Sequence, residues 1–476
     1  MKKLTLTLLI AITIISCKEE KKEVVKVVEE IKKEIAPVSE EMMESAVIYE
    51  ANIRQYSKEG TFDAFTKDIP ELKKLGVKII WVMPIFPISE TKRKAKGDLF
   101  VSDIEDIEER KKYLGSYYAV SDFTKVNPEF GTIDDFRELI DTAHENDIYI
   151  ILDWVPNHTG WDHDWLKTNP EFYTKNDKGE VTDPLNDDGS SKGWADVADL
   201  NYDNEGLRNA MISDMKHWII KENIDGFRCD VAGSVPTSFW QQAIPQLRAE
   251  KEVFMLAEAW EPELMHNNLF DMAYAWEGHH IFNEIAKGEQ GVNEWDAYMK
   301  KLNTQYENDD ILMNFITNHD ENSWNGTIDE RMGNASEAML ALSYLTPGMP
   351  LIYSGQEYDM NHRLKFFEKD EIPKTKGRMW SLLEKLGALK NTNSAIHGGK
   401  KAASYSKVST DNENVLVFKR SKKGSNVIYI ANLSETEQII TNEFKGKYLD
   451  YMTNTNVEFI TETINLKPWE YKILLQ

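Results

Sequence analysis

Eight short runs of β-branched and apolar residues recur along the chain, most of them separated by a stretch with helical apolar spacing. The runs cover 47–53, 77–84, 148–154, 226–231, 253–258, 270–276, 312–318 and 350–354. Segments such as FDAFTKDIPELKKLG at 62–76 and IDDFRELIDTAHEND at 133–147 carry the helical pattern between them. Strand then helix, eight times over, predicts parallel strands closed into a (β/α)8 TIM barrel with the helices outside, an α/β fold. Two excursions break the rhythm. Residues 85–131 read as a long loop on the rim, and 159–205, rich in Asp, Asn, Gly and Trp, as a small domain inserted after the third strand. Past residue 396 the pattern changes to short alternating strands (ASYSKV, NVLVFKR, NVIYIAN, EYKILL). A barrel at 45–395 and a C-terminal antiparallel β-domain at 396–476 are therefore expected.

The amino terminus reads as an address. Lys2 and Lys3 precede an apolar stretch from Leu4 to Ile15, then Ser16-Cys17. Residues 1–16 have the layout of a signal peptide, and the IISC ending resembles a bacterial lipoprotein processing box with acylation at Cys17. Residues 17–44 mix Lys and Glu and read as a charged, solvated tether. The expected product is exported and lipid-anchored, at the outer membrane, the cell surface or facing the periplasm. The other cysteine is Cys229, on a barrel strand, and no disulfide with Cys17 is expected. A net charge of -24 argues against nucleic acid as a partner. Oligomeric state is not legible.

Three of the strand runs end on an acid: Asp230 in GFRCD, Glu258 in LAE and Asp320 in TNHD. Acids at the carboxyl ends of successive buried strands describe an active site on a barrel rim. Arg228 stands two residues before Asp230, so both point to one face, where the guanidinium would keep Asp230 ionised. Cys229 points the other way, into the core. Glu258 has no cation in its own motif, and a proton donor needs a raised pKa. His158 and His319, as neutral imidazoles, could donate and accept hydrogen bonds at once. They could also be metal ligands, but no HxxxH pair joins them.

DWVPNH at 153–158, ADLNY at 198–202, GFRCD at 226–230, LAE at 256–258 and TNHD at 317–320 together resemble, in order and spacing, the signature regions of the α-amylase superfamily, glycoside hydrolase family 13. GVKIIWVMPIFP at 76–87 and GMPLIYSGQE at 348–357 add to the match. The resemblance implies a catalytic (β/α)8 barrel with a B domain at 159–205 and a C-terminal β-sandwich, and a retaining hydrolase of α-glucosidic, mainly α-1,4, bonds in starch-like glucans or maltooligosaccharides. Asp230 would be the nucleophile, Glu258 the acid/base and Asp320 the third acid. Tyr118, His158, Arg228 and His319 would bind substrate, with Asp153 supporting Arg228.

Departures from the pattern matter as well. Many members hold a structural calcium through the first-motif Asn, an Asp at the end of the B domain and a Lys-His pair after the nucleophile. Asn157 and Asp199 are present, but Val231-Ala232-Gly233 replaces the pair. No cofactor is expected for the chemistry, and the calcium donor set is incomplete. Ala119 after the platform Tyr counts against a strict exo-glucosidase, and Val231 is shared with α-1,6-acting relatives. A transglycosylase would use the same residues. A non-catalytic glycan-binding protein on this fold usually lacks catalytic acids, and all three are kept here.

Overall fold

The computed structural model describes residues 35–476 apart from Asp187 and Lys445; residues 1–34, with the segment read as a signal peptide and Cys17, lie outside them. Eight parallel strands close into a barrel: β1 (Val47–Ala51), β2 (Val77–Val82), β3 (Tyr149–Trp154), β4 (Gly226–Cys229), β5 (Phe254–Ala257), β6 (Met272–Tyr274), β7 (Ile311–Asn314) and β8 (Met349–Tyr353). They are neighbours in chain order, and β8 pairs with β1, Leu351 opposite Ile48. All eight expected runs become strands, seven of them shorter than their apolar runs and the last shifted by one residue. Where the carboxyl ends are trimmed the chain curves into the rim loops, and side chains become free to reach a ligand.

Alternation along the strands sorts side chains into two cores. Ile48, Ile79, Trp81, Ile151, Leu256, Met272 and Met313 point into the barrel, while Val47, Ile80, Leu152, Phe227, Cys229 and Ala273 face the helices. The period of two carries the inward set upward to Glu50, Trp81, Asp153, Arg228 and Tyr274, a polar layer beneath the rim. Cys229 is fully buried on the outer side. The helical stretch at 62–76 breaks into Phe62–Thr66 and Ile69–Lys74, because Pro70 lacks the N–H that a continuous helix would need. The one at 133–145 starts on a Thr132/Asp135 capping box.

One stretch departs from expectation. The end of the segment read as a solvated tether forms the short helix Glu40–Glu44, and Met42, Met43 and Glu44 are buried. The two methionines close the amino-terminal floor of the barrel interior, and Glu44 pairs with Lys422 at 2.6 Å. Apolar residues hidden among Lys and Glu made this turn look like tether.

The inserted segment is pinned at its base by an antiparallel pair, His158–Gly160 with Val197–Asp199. The C-terminal region is a six-stranded antiparallel sheet facing a two-stranded one (Gln438–Thr441 with Thr463–Leu466). Val415, Val417, Ile430, Ile440, Ile464 and Leu474 fill the space between them, and the opposite face of the large sheet packs on the barrel helices. Arg420 is buried at that seam and donates to the carbonyls of Leu345, His397 and Ala403. Among the described residues no helix is long and apolar enough to cross a membrane.

Candidate active site

A cleft of about 480 Å³ opens at the carboxyl-terminal rim, and Tyr118, His158, Asp230, Glu258, His319 and Asp320 all line it. A second hollow of about 470 Å³ beside Trp260 and Tyr306 contains none of these residues. The residues singled out in the sequence thus come from five separate parts of the chain to one place.

Their centre is Arg228. Its Nη1 donates to Asp153 Oδ1 and Asp230 Oδ1, both at 2.9 Å, and its Nε to the Tyr274 hydroxyl at 3.2 Å. Nη2 lies 2.9 Å from Glu258 Oε1, close enough for an ion pair but not aligned as a hydrogen bond. Burying a lone guanidinium would cost several kcal/mol, and three carboxyls offset that here. Asp230 and Glu258 therefore sit on the two amino nitrogens of one guanidinium. Their side chains keep 11% and 13% of their surface, so both still face the cleft.

The electrostatics correct the sequence expectation. Arg228 was expected to keep Asp230 ionised, whereas it is shared with Glu258 and the Asp230 carboxyl is pushed up instead. Burial and the adjacent Glu258 push the Asp230 carboxyl up. Glu258 resists the upward push of burial because Arg228 and the Val231 N–H, 2.7 Å from Oε2, favour its charged form. Burial also raises Asp153, to about 6, in spite of Arg228. Three carboxyls thus compete for one guanidinium, and burial favours the protonated form of Asp230 and Asp153 while Glu258 is held toward its charged form.

Val231 makes the last link possible. It holds φ 38° and ψ 46°, a left-handed conformation that β-branched residues almost never adopt. That turn folds the chain from β4 into Ala232–Ser234 while the N–H points at Glu258.

The two histidines diverge. His158 is buried and its pKa falls to about 3, so it is neutral as expected. His319 is not: against burial, Asp320 and Glu50 raise it to about 9, making it an imidazolium. Its Nδ1 lies 2.5 Å from Glu50 Oε1 and its Nε2 lies 2.8 Å from the Tyr118 hydroxyl, with Asp320 Oδ2 at 3.4 Å. The Tyr118 hydroxyl in turn donates to Asp153 Oδ2 at 3.2 Å. Tyr118 is thus fixed as a flat surface over the same charged layer, with its ring stacked on His319 at 5.6 Å. Glu50, Trp81, Tyr274 and the Val231 backbone were not read from the sequence. Glu50 had a signal, being an acid on the inward register of an otherwise apolar strand.

A structural calcium does not fit the residues present. The Asn157 amide nitrogen lies 3.2 Å from His158 Nδ1, and no second acid or imidazole is supplied to Asn157 and Asp199 from 231–233. Among the described residues, the acids close enough to share an ion are Glu307, Asp309 and Asp310, on a largely exposed loop just before β7, at the opposite end of that strand.

Fold and site define a barrel enzyme with paired carboxyls at the ends of its strands. The family model for the alpha amylase catalytic domain matches residues 44–413, and the chain belongs to that family. A crystal structure of an alpha-amylase from Lactobacillus plantarum superposes with a TM-score of 0.79 at 26% identity, covering 92% of this chain and all of that one. A maltogenic alpha-amylase from Thermotoga neapolitana gives 0.78 at 25%, covering 91% and 99%. Alpha-amylase 3 of Dictyoglomus thermophilum is 25% identical over 88% of this chain and 91% of its own length. Other relatives are longer: the chain spans 45% of the alpha-amylase MalA of Haloarcula japonica, at 24% identity.

Proposed function

We propose that the protein is a retaining glycoside hydrolase that cleaves α-glucosidic, mainly α-1,4, bonds in starch-like glucans or maltooligosaccharides. The observation that carries this is the sharing of one buried guanidinium by Asp230 and Glu258 at the cleft floor. Carboxyls this close suit direct attack, because an inverting enzyme needs room for a water between them. Asp230 attacks the anomeric carbon, and Glu258 protonates the departing oxygen and later activates water. Asp320, the most open of the three, binds hydroxyls of the reacting ring, which rests over Tyr118 between His158 and His319.

The proton must sit on Glu258 for the first step, whereas in the open cleft burial favours the protonated form of Asp230 and Arg228 the charged form of Glu258. A glycosidic oxygen approaching Glu258 accepts a hydrogen bond only from the protonated acid, so substrate entry itself draws the proton across. Asp230 is left charged against Arg228. Names among the relatives include cyclomaltodextrin glucanotransferases and a 4-alpha-glucanotransferase, so transfer to a sugar instead of water is the second reading. Incubating the protein with maltoheptaose and with pullulan tests both. Shorter maltooligosaccharides indicate hydrolysis, longer ones transfer, and unchanged substrates refute the enzyme. Glu258→Gln should stay folded and lose turnover by orders of magnitude; near-native turnover would remove Glu258 from the mechanism.

We also propose the barrel at 45–395, the inserted domain at 159–205 and the sandwich at 396–476 as the domain division. Export with lipid anchoring through Cys17 rests on the leader sequence. Labelled palmitate in a native host should enter the protein and be lost with Cys17→Ser.

A further inference from the structure

Charged groups account for the floor of the cleft but not for its outer wall. Trp324 stands four residues after Asp320, inside the π-helical turn Glu321–Asn325, and 52% of it is exposed. A half-bare indole at the mouth of a cleft is an apolar surface left for a ligand, and π turns of this kind cluster at functional positions. Its ring packs against Phe366 with centroids 5.1 Å apart. Phe366 lies nearly parallel to Tyr118, at 6.3 Å and 10°. The three rings form a ladder that climbs from the floor to the mouth, and all of them line the cleft.

The ladder is held rigidly. Gln55 Nε2 donates to the carbonyls of Lys365 at 2.7 Å and Glu368 at 2.8 Å, and Arg54 Nη1 to that of Phe366 at 3.3 Å. The Asn322 side chain, within the π turn, accepts from Leu364 N–H at 2.8 Å. Gln55 and Arg54 are buried side chains spent on positioning this loop.

Geometry also gives the ladder a direction. The leaving sugar lies beside Glu258, which follows β5. Tyr118, Trp324 and Phe366 come from the loops after β2, β7 and β8, on the other arc of the ring. The part of the chain retained on the enzyme therefore runs from Tyr118 toward Trp324.

We infer that Trp324, propped by Phe366, is the platform for the second retained glucosyl unit, so that the enzyme recognises a maltosyl rather than a glucosyl donor. This rests on the α-glucan reading above. One apolar face of a pyranose ring covers the indole, and the ring's hydroxyls stay in water.

The test uses the full chain and two chromogenic substrates, 2-chloro-4-nitrophenyl α-maltoside and the matching α-glucoside. The native enzyme should favour the maltoside in kcat/KM. Trp324→Ala should reduce that preference about ten- to hundredfold, while Trp324→Phe keeps most of it. Where the glucoside is left uncut, the maltoside kcat/KM carries the comparison. An unchanged preference in Trp324→Ala overturns the inference. So does an increased one, because the ring would then be a wall. Absence of cleavage of both glycosides and of maltoheptaose by the native enzyme overturns the α-glucan reading instead.

Discussion

Raising the pH from 6 to 10 should weaken this protein through His319. The folded imidazole titrates at about 9 against an ordinary value of 6.5. At roughly 1.4 kcal/mol per pH unit, that corresponds to at most about 3 kcal/mol of stability. The sign follows from the direction of the shift. A raised histidine binds its proton more tightly when folded, so its contribution is complete below about 6.5 and is lost as pH climbs through about 9. Burial makes screening small, and salt should change the effect little. The assay is the urea midpoint across this pH range for the native chain and for His319→Gln. The native midpoint should fall steeply between pH 7 and 9, and the variant should lack most of that fall. Equal slopes in the two proteins would refute the assignment of a charged imidazole between Glu50 and Asp320. A native slope of opposite sign would refute it as well.

Three further outcomes follow from particular residues. Val231→Gly removes the cost of a left-handed valine and should raise stability by up to about 1 kcal/mol, after allowing for glycine's freedom in the unfolded chain; it should also lower kcat, since the N–H that meets Glu258 is no longer locked, and a thermal melt with steady-state kinetics checks both. Prolonged EDTA treatment should leave the melting temperature and the rate on maltoheptaose unchanged, because the donor set around Asn157 and Asp199 is incomplete; a drop in either, restored by calcium, would contradict this. Glu50→Gln removes one of the two acids that charge His319, and the alkaline loss of stability should begin at lower pH than in the native chain, again read from urea midpoints.

Periodicity was enough for the barrel. Eight apolar runs with helical spacers leave few ways to bury every strand on both faces, and the structure adopts the expected one. Apolar alternation located four strands of the C-terminal region, at 404–407, 415–422, 425–432 and 471–475. It missed Gln438–Thr441, Lys447–Asp450, Thr455–Glu458 and Thr463–Leu466, whose outer faces are exposed and whose inner faces carry only one or two apolar residues. The buried turn at Met42–Glu44 was hidden for the opposite reason: two methionines among charges carry no period at all.

At the site, strand alternation alone placed Arg228 and Asp230 on one face and Cys229 on the other, since both facts depend on residues two apart. Motif order made Glu258, Asp320, Tyr118 and the histidines candidates. What lay beyond the sequence is how charge is shared. Only closure of the ring brings Glu50 of β1 to His319 beyond β7, and Glu258 to the same guanidinium as Asp230. Coulomb and desolvation terms depend on distances between residues far apart in the chain, so protonation states were decided by the tertiary structure, while the identity of the groups that titrate was already written in the sequence.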